Sequence, residues 1–146
     1  MDKIVEALQE QGEFKFNLNS LQRATNGIGR GNFMIVFARP DVGKTAFWGS
    51  LVASPNGFAW QEKKVSIFAN EEPAIRTQMR LLNASTGLQR GNILNGSRDL
   101  AKQKWSTISP YIDNFDCVGK TMDDLDEYCS TNDVDILIID QLDKIN

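Results

Sequence analysis

Apolar residues along this chain fall in short runs whose period switches between two and about three and a half, and the switches mark predicted elements. The run Phe33-Met34-Ile35-Val36-Phe37, bounded by turn residues, predicts a first strand over Asn32 to Ala38. A helix opening at Lys44 stops near Ser54, because Pro55-Asn56-Gly57 cannot continue it. Lys64 to Asn70 predicts a second strand. Glu71-Glu72-Pro73 then supplies the acidic residues and proline of a first helical turn, and that helix runs through Met79 and Leu82 to Gly87. A loop over Leu88 to Gly96 leads to a helix from Ser97, its N-cap, to about Ser109. Tyr111 to Val118 predicts a third strand, and Thr121 to Ser130 a short helix capped by Thr121. The unbroken run Ile136-Leu137-Ile138-Ile139, ending at Asp140, predicts a fully buried central strand.

Before these elements, Asp2 to Gln11 predicts a short amphipathic helix with Ile4, Val5 and Leu8 on one stripe. Phe14 to Gly31 is mixed, with turn signals at Asn26-Gly27 and Arg30-Gly31. The expected division is a linker-like helix over residues 1–12 and one α/β domain over 13–146. Strands alternating with helices predict βαβ units and a parallel sheet covered on both faces.

Composition narrows the function classes. The 146 residues suffice for one domain with a core. No apolar run approaches the roughly 18 residues of a membrane span, and the N-terminus is too polar for a secretory signal. Cys117 and Cys129 match no metal or redox spacing and read as free thiols of a reducing compartment. The chain has no histidine, which excludes imidazole catalysis and His-ligated zinc. Its net charge is −3, with Lys and Arg scattered among acids. It therefore lacks the basic stripe of a stand-alone DNA binder. Nucleic-acid contacts would be few, come from a ring of subunits, or lie outside this chain.

The chemistry concentrates at Ala38-Arg39-Pro40-Asp41-Val42-Gly43-Lys44-Thr45-Ala46. This is the phosphate-binding pattern G-x-x-x-x-G-K-S/T with Ala38 in place of the first glycine. Backbone N–H groups from about Asp41 to Thr45 would bind a β-phosphate, helped by the helix N-terminus. Gly43 would allow close backbone approach. Lys44 would reach the β- and γ-phosphates, and the Thr45 hydroxyl would ligate Mg²⁺. The bland alternative is a chance Gly-Lys-Thr at a helix start; the strand before and the helix after argue against it. Asp140 at a strand end could be only a turn residue. Beside a phosphate loop it reads as a Walker B acid, holding Mg²⁺ through water. One of Glu71 and Glu72 could polarise an attacking water, the other being ordinary helix-start charge. Trp48, Trp60 and Trp105 read as core or interface, the acids from Asp123 to Glu127 as a solvated first turn, and Arg76 and Arg80 as surface.

These residues resemble the RecA-type ATPase domain of DnaB-like replicative helicases, including those of phages. Phe16-Asn17-Leu18-Asn19, Thr25-Asn26-Gly27-Ile28 and Gly31-Asn32-Phe33-Met34-Ile35-Val36 are similar to that family's lead-in. Ala38 to Phe47 resembles its "A-R-P-S-M-G-K-T-A-F", where alanine also stands first. Phe68-Ala69-Asn70-Glu71-Glu72-Pro73-Ala74 resembles "F-S-L-E-M-P-A", which puts the catalytic glutamate on Glu71, and Met79-Arg80-Leu81-Leu82 continues the match. Ile138-Ile139-Asp140-Gln141-Leu142 resembles "V-V-D-Y-L".

The resemblance implies a RecA-like P-loop NTPase fold with three layers and a mostly parallel sheet. It implies ATP and Mg²⁺ as cofactors, and hydrolysis coupled to translocation on single-stranded DNA in a hexameric ring. A primase or a full-length helicase would be a partner, and the setting would be the cytoplasm of a bacterium or a phage-infected cell. Two other readings are a non-catalytic module that caps a full-length helicase, and a RecA-type recombinase. Ser54-Pro55-Asn56-Gly57 departs from the family as an insertion or early break in the first helix. On this resemblance the chain stops after the Walker B strand, so the isolated chain is expected to be weakly active or inactive. The family's next strand would lie between the phosphate-loop strand and the Walker B strand. Without it, the sheet is expected either to keep a gap there or to pair those two strands directly.

Overall fold

The computed structural model describes residues 12–69, 73–116 and 119–141. The predicted helix Asp2 to Gln11, and Glu71, Glu72 and Cys117, lie outside them. Three parallel strands, β1 (Val65–Ala69), β2 (Ile112–Asp116) and β3 (Ile136–Asp140), stand in the order β2-β1-β3. Val65 lies opposite Ile112 and Ile136, and Ala69 opposite Asp116 and Asp140, so the three carboxyl ends finish level.

The helices are α1 (Asn19–Thr25), α2 (Lys44–Ala53), α3 (Ala74–Thr86), α4 (Arg90–Leu94), α5 (Arg98–Ile108) and α6 (Met122–Thr131). On one face, Val65 and Ile67 of β1 pack with Leu51 and Val52 of α2, Leu81 of α3 and Ile108 of α5. On the other, Phe68 packs with Leu125 and Tyr128 of α6 and with Phe115 and Ile139. Phe68 lies 5.2 Å from Phe115 and 5.3 Å from Tyr128, centroid to centroid. This is the three-layer arrangement expected from the sequence. β1 is buried along its whole length, which is why its sequence is not polar at alternate positions.

Local chemistry sets the element ends. The Pro55-Asn56-Gly57 break needs glycine because a Cβ on Gly57 would lie 2.6 Å from the Leu51 carbonyl oxygen and 2.7 Å from that of Val52. At the start of α6, Thr121 Oγ1 accepts from the Asp124 N–H, and Asp124 Oδ2 accepts from the Thr121 N–H at 2.7 Å. Thr121→Ala is expected to lower stability by about 1 kcal/mol in urea denaturation. The hydrogen bonds from Thr121, backbone first and hydroxyl second, hold the Asp124 carboxyl below its ordinary range. Its stabilising contribution is complete above the unfolded carboxylate value of about 3.9 and is lost as pH falls through the lower folded value. Asp124→Asn should therefore flatten the acid limb of a stability-against-pH curve.

Several expectations are corrected. Asn32 to Ala38 forms no strand: residues 32–39 take no regular element, and Phe33 and Phe37 are 80% and 89% exposed. The reason lies in long-range pairing. The Arg30 guanidinium bonds Asp135, just ahead of β3, and Lys44 and Thr45 bond Asp140 at its end. The segment is thus tied at both ends to the ends of β3, but through side chains. No ladder bond joins them among the described residues, so direct pairing does not occur, and with no strand formed at Asn32 to Ala38 there is no second strand to flank a gap.

For the same reason β3 is an edge strand among the described residues, not a central one, and Leu137 is 37% exposed. Within Phe14 to Gly31 the chain forms α1 and an antiparallel bridge, Phe14 to Ile28. The loop from Leu88 to Gly96 holds the short α4. Ser97 sits at the N-cap of α5 with no side-chain capping bond. Pro73 occupies the N-cap of α3 and not its first turn. The tryptophans belong to the body as expected: Trp48 is 7% exposed, the Trp60 indole donates to the Ala53 carbonyl at 2.8 Å, and Trp105 packs against the core.

Candidate functional site

Gly43 sits at φ +97°, a left-handed turn that a side chain would strain, and the next residue opens α2. The Phe47 N–H returns to the Gly43 carbonyl at 2.9 Å, closing the first turn. This geometry brings Lys44 and Thr45 to the carboxyl end of β3. Lys44 Nζ lies 2.7 Å from Asp140 Oδ1, and the Thr45 hydroxyl donates to Asp140 Oδ2 at 3.4 Å. The Asp140 side chain is 4% exposed and that of Lys44 27%. Two adjacent residues therefore share one carboxylate that lies 95 positions beyond Thr45 in the chain.

Ala38, Arg39, Pro40, Asp41 and Val42 form an open, exposed loop that turns at Asp41, φ +61°. Ala46 continues the first turn of α2 and lines a cleft of about 280 Å³ with Thr45 and Gly49. The opposite wall is Arg80, Asn83 and Ala84 of α3. Arg80 is exposed, as the sequence predicts, and also borders this cleft. The spacing of 80, 83 and 84 on one helical stripe was the signal for a shared wall. Glu71 lies outside the described residues. Ala69, two residues before it, is in register with Asp140. Among the described residues there is no group of three or more metal-ligating side chains, and no helix is long and apolar enough to cross a membrane.

A parallel sheet layered by helices, with a Gly-Lys-Thr helix start against an aspartate at a strand end, defines a RecA-like α/β fold. A solved structure titled "ATPase Domain of G40P" has that fold. It matches with a TM-score of 0.69 at 22% identity, covering 99% of this chain and 55% of that one. Residues 14–146 match the family described as DnaB-like helicase C terminal domain, and the chain belongs to that family. It is 33% identical over 104 residues to the "Replicative DNA helicase DnaB" of Geobacillus stearothermophilus. It is equally similar to the "Replicative DNA helicase DnaC" of Bacillus subtilis. In each case the match takes in 71% of this chain and 22% of the relative, so the chain spans about a fifth of the curated relatives' length. The family match favours the helicase over the recombinase reading.

Proposed function

We propose that this chain is the nucleotide-binding part of a replicative helicase motor. It would bind ATP with Mg²⁺ where the loop, α2 and β3 converge, and hydrolysis would move a hexameric ring along single-stranded DNA. The observation that carries this reading is the meeting of Lys44 and Thr45 with Asp140. The oxygen donors of Thr45 and Asp140 suit Mg²⁺, which would neutralise phosphate charge when bound. Lys44 would draw in the β- and γ-phosphate oxygens. The backbone of Asp41 to Thr45 would cradle the β-phosphate, and Pro40 would stiffen the approach to that turn. Glu71 would accept the proton of the attacking water.

The test uses a fluorescent ATP analogue titrated with Mg²⁺, alongside DNA-stimulated phosphate release. Glu71→Gln should keep analogue affinity within roughly threefold, since only a charge outside the phosphate cradle changes, and abolish whatever turnover the wild type shows. A variant that binds normally and turns over at the wild-type rate removes Glu71 from the role.

The second reading, a module that docks on a full-length helicase, draws support from the exposed segment Phe33 to Phe37. An exposed apolar segment beside an open sheet edge is a ready acceptor for a partner's strand. In the isolated chain, amides 33–37 are expected to exchange with solvent far faster than those of β1. Under the docking reading a full-length DnaB-like helicase slows that exchange, and the effect survives Lys44→Ala and Glu71→Ala. Exchange that the helicase leaves unchanged excludes docking at this edge.

A further inference from the structure

We propose that Asn114 is a positioning residue: from the middle of β2 it pins the start of α3 and so fixes the crossover that carries Glu71. The inference rests on the nucleotide reading above and deepens it. Asn114 lies opposite Ile67 in the parallel ladder. Its Nδ2 donates to the Ala74 carbonyl at 2.8 Å, across 40 positions of chain. Ala74 is the first residue of α3. Pro73, at the N-cap, offers no capping side chain, so the helix start takes a tie from the next strand instead. The Arg76 N–H returns to the Pro73 carbonyl at 2.8 Å, which joins Pro73 to the pinned turn.

The tie is made against a penalty. Asn114 Oδ1 is buried and accepts no hydrogen bond among the described residues. An unpaired buried amide oxygen is unfavourable, and asparagine is a poor strand former. Ile112, two positions earlier on the same face of β2, packs against the core, and an apolar residue at 114 would escape both penalties. The amide cannot turn round to satisfy its oxygen, because that would set Oδ1 against the Ala74 carbonyl. The bond to α3 is what the asparagine supplies and a hydrophobic residue would not.

The place of that bond gives it a use. β1 ends at Ala69, which the ladder holds opposite Asp116 and Asp140. Residues 70–72 connect Ala69 to Pro73, and Glu71 is the middle one. A link that short has its course set by its two ends. Strand register fixes the first end, and Asn114 fixes the second. A general base works only within hydrogen-bond reach of the proton it takes, and a displacement of about 1 Å can lower a rate by about 100-fold. Asn114 therefore acts on the reaction through Glu71.

The experiment places a nitroxide label at position 71, through Glu71→Cys in a Cys117→Ser, Cys129→Ser background, and reads its mobility by electron spin resonance. A label on Gln103→Cys, exposed on α5, is the reference. Asn114→Leu, near in size but with no donor, should sharpen the spectrum at 71 and leave that at 103 unchanged. Its urea midpoint should stay at or above that of the wild type, because the unpaired oxygen is removed with the donor; loss of a merely structural bond would lower it. Asn114→Val, smaller and a better strand former, is the second variant, should leucine crowd the turn. In unlabelled chains with Glu71 intact, both variants should lower DNA-stimulated ATP turnover by about 100-fold while KM stays within roughly threefold. An unchanged spectrum at 71 in both variants overturns the proposal. So does a sharpened spectrum with wild-type turnover. If the wild type binds ATP but turns none over, the role given to Glu71 fails, and the label alone decides whether Asn114 pins the crossover.

Discussion

Lys44→Ala is expected to cut the affinity of this chain for an ATP analogue with Mg²⁺ by about 10- to 150-fold. A charge-assisted hydrogen bond contributes about 1.5–3 kcal/mol, and each 1.4 kcal/mol is about a factor of ten. The same substitution acts on the free protein, because it strips the nearly buried Asp140 of the ammonium 2.7 Å away. Removing one partner of a fully buried pair costs about 3–5 kcal/mol. Lys44 keeps 27% of its side chain in solvent, so a smaller loss is expected here, on the order of 1–2 kcal/mol. Two measurements therefore move together: analogue binding by fluorescence titration and unfolding by urea. Wild-type affinity in Lys44→Ala would remove the loop from the binding site altogether.

Leu81→Ala should be among the most damaging single changes to the fold, at about 2–5 kcal/mol in urea unfolding. Leu81 is 0% exposed and sits where α3 meets α2, with its Cδ2 3.9 Å from the place a Cβ on Gly49 would occupy. Gly49 lines the cleft, and the neighbouring Arg80, Asn83 and Ala84 form its opposite wall. The cavity left by truncation would thus lie directly beneath the candidate site. Analogue affinity should fall at denaturant concentrations where the wild type is still folded. A loss below about 1 kcal/mol would show that α2 and α3 close over the void, since the cost of a large-to-small change depends on how far the site collapses.

How much of this was legible in the sequence depends on how local each cause is. The run Val65-Ser66-Ile67-Phe68-Ala69 and the break at Pro55-Asn56-Gly57 carry their own physical reasons within a few residues, and both were read correctly. The Thr121 cap of α6 likewise depends only on Asp124, three positions on. Phe33 to Phe37 has the composition of a strand, yet a strand exists only with a neighbour to bond, and no local pattern reports whether that neighbour is present. The same blindness made β3 look central. α1 was missed because Asn19 to Thr25 buries no residue fully and carries no capping side-chain bond, leaving little periodicity to read.

At the site, Lys44, Thr45 and Asp140 were legible as separate motifs. Their direct contact was not. It arises because strand register sets the end of β3 beside the start of α2, which no local pattern reports. Arg80 was legible only as half of a charged pair on a helix; its place on the cleft wall follows from the packing of α3 on α2.

The two side-chain ties around residues 31–43 have a mechanical consequence. Arg30 anchors one end of this strap at Asp135 and Lys44 the other at Asp140, with Phe33 to Phe37 strung between them. A strap of fixed contour length held at two points transmits lateral displacement to its anchors. The anchor at Arg30 is exposed and easily re-formed, whereas the one at Lys44 is the reactive end of the phosphate loop. Displacing the strap from β3 therefore loosens the exposed Arg30 anchor before the more buried Lys44–Asp140 contact, so the phosphate loop keeps its lysine tie when the sheet edge is disturbed.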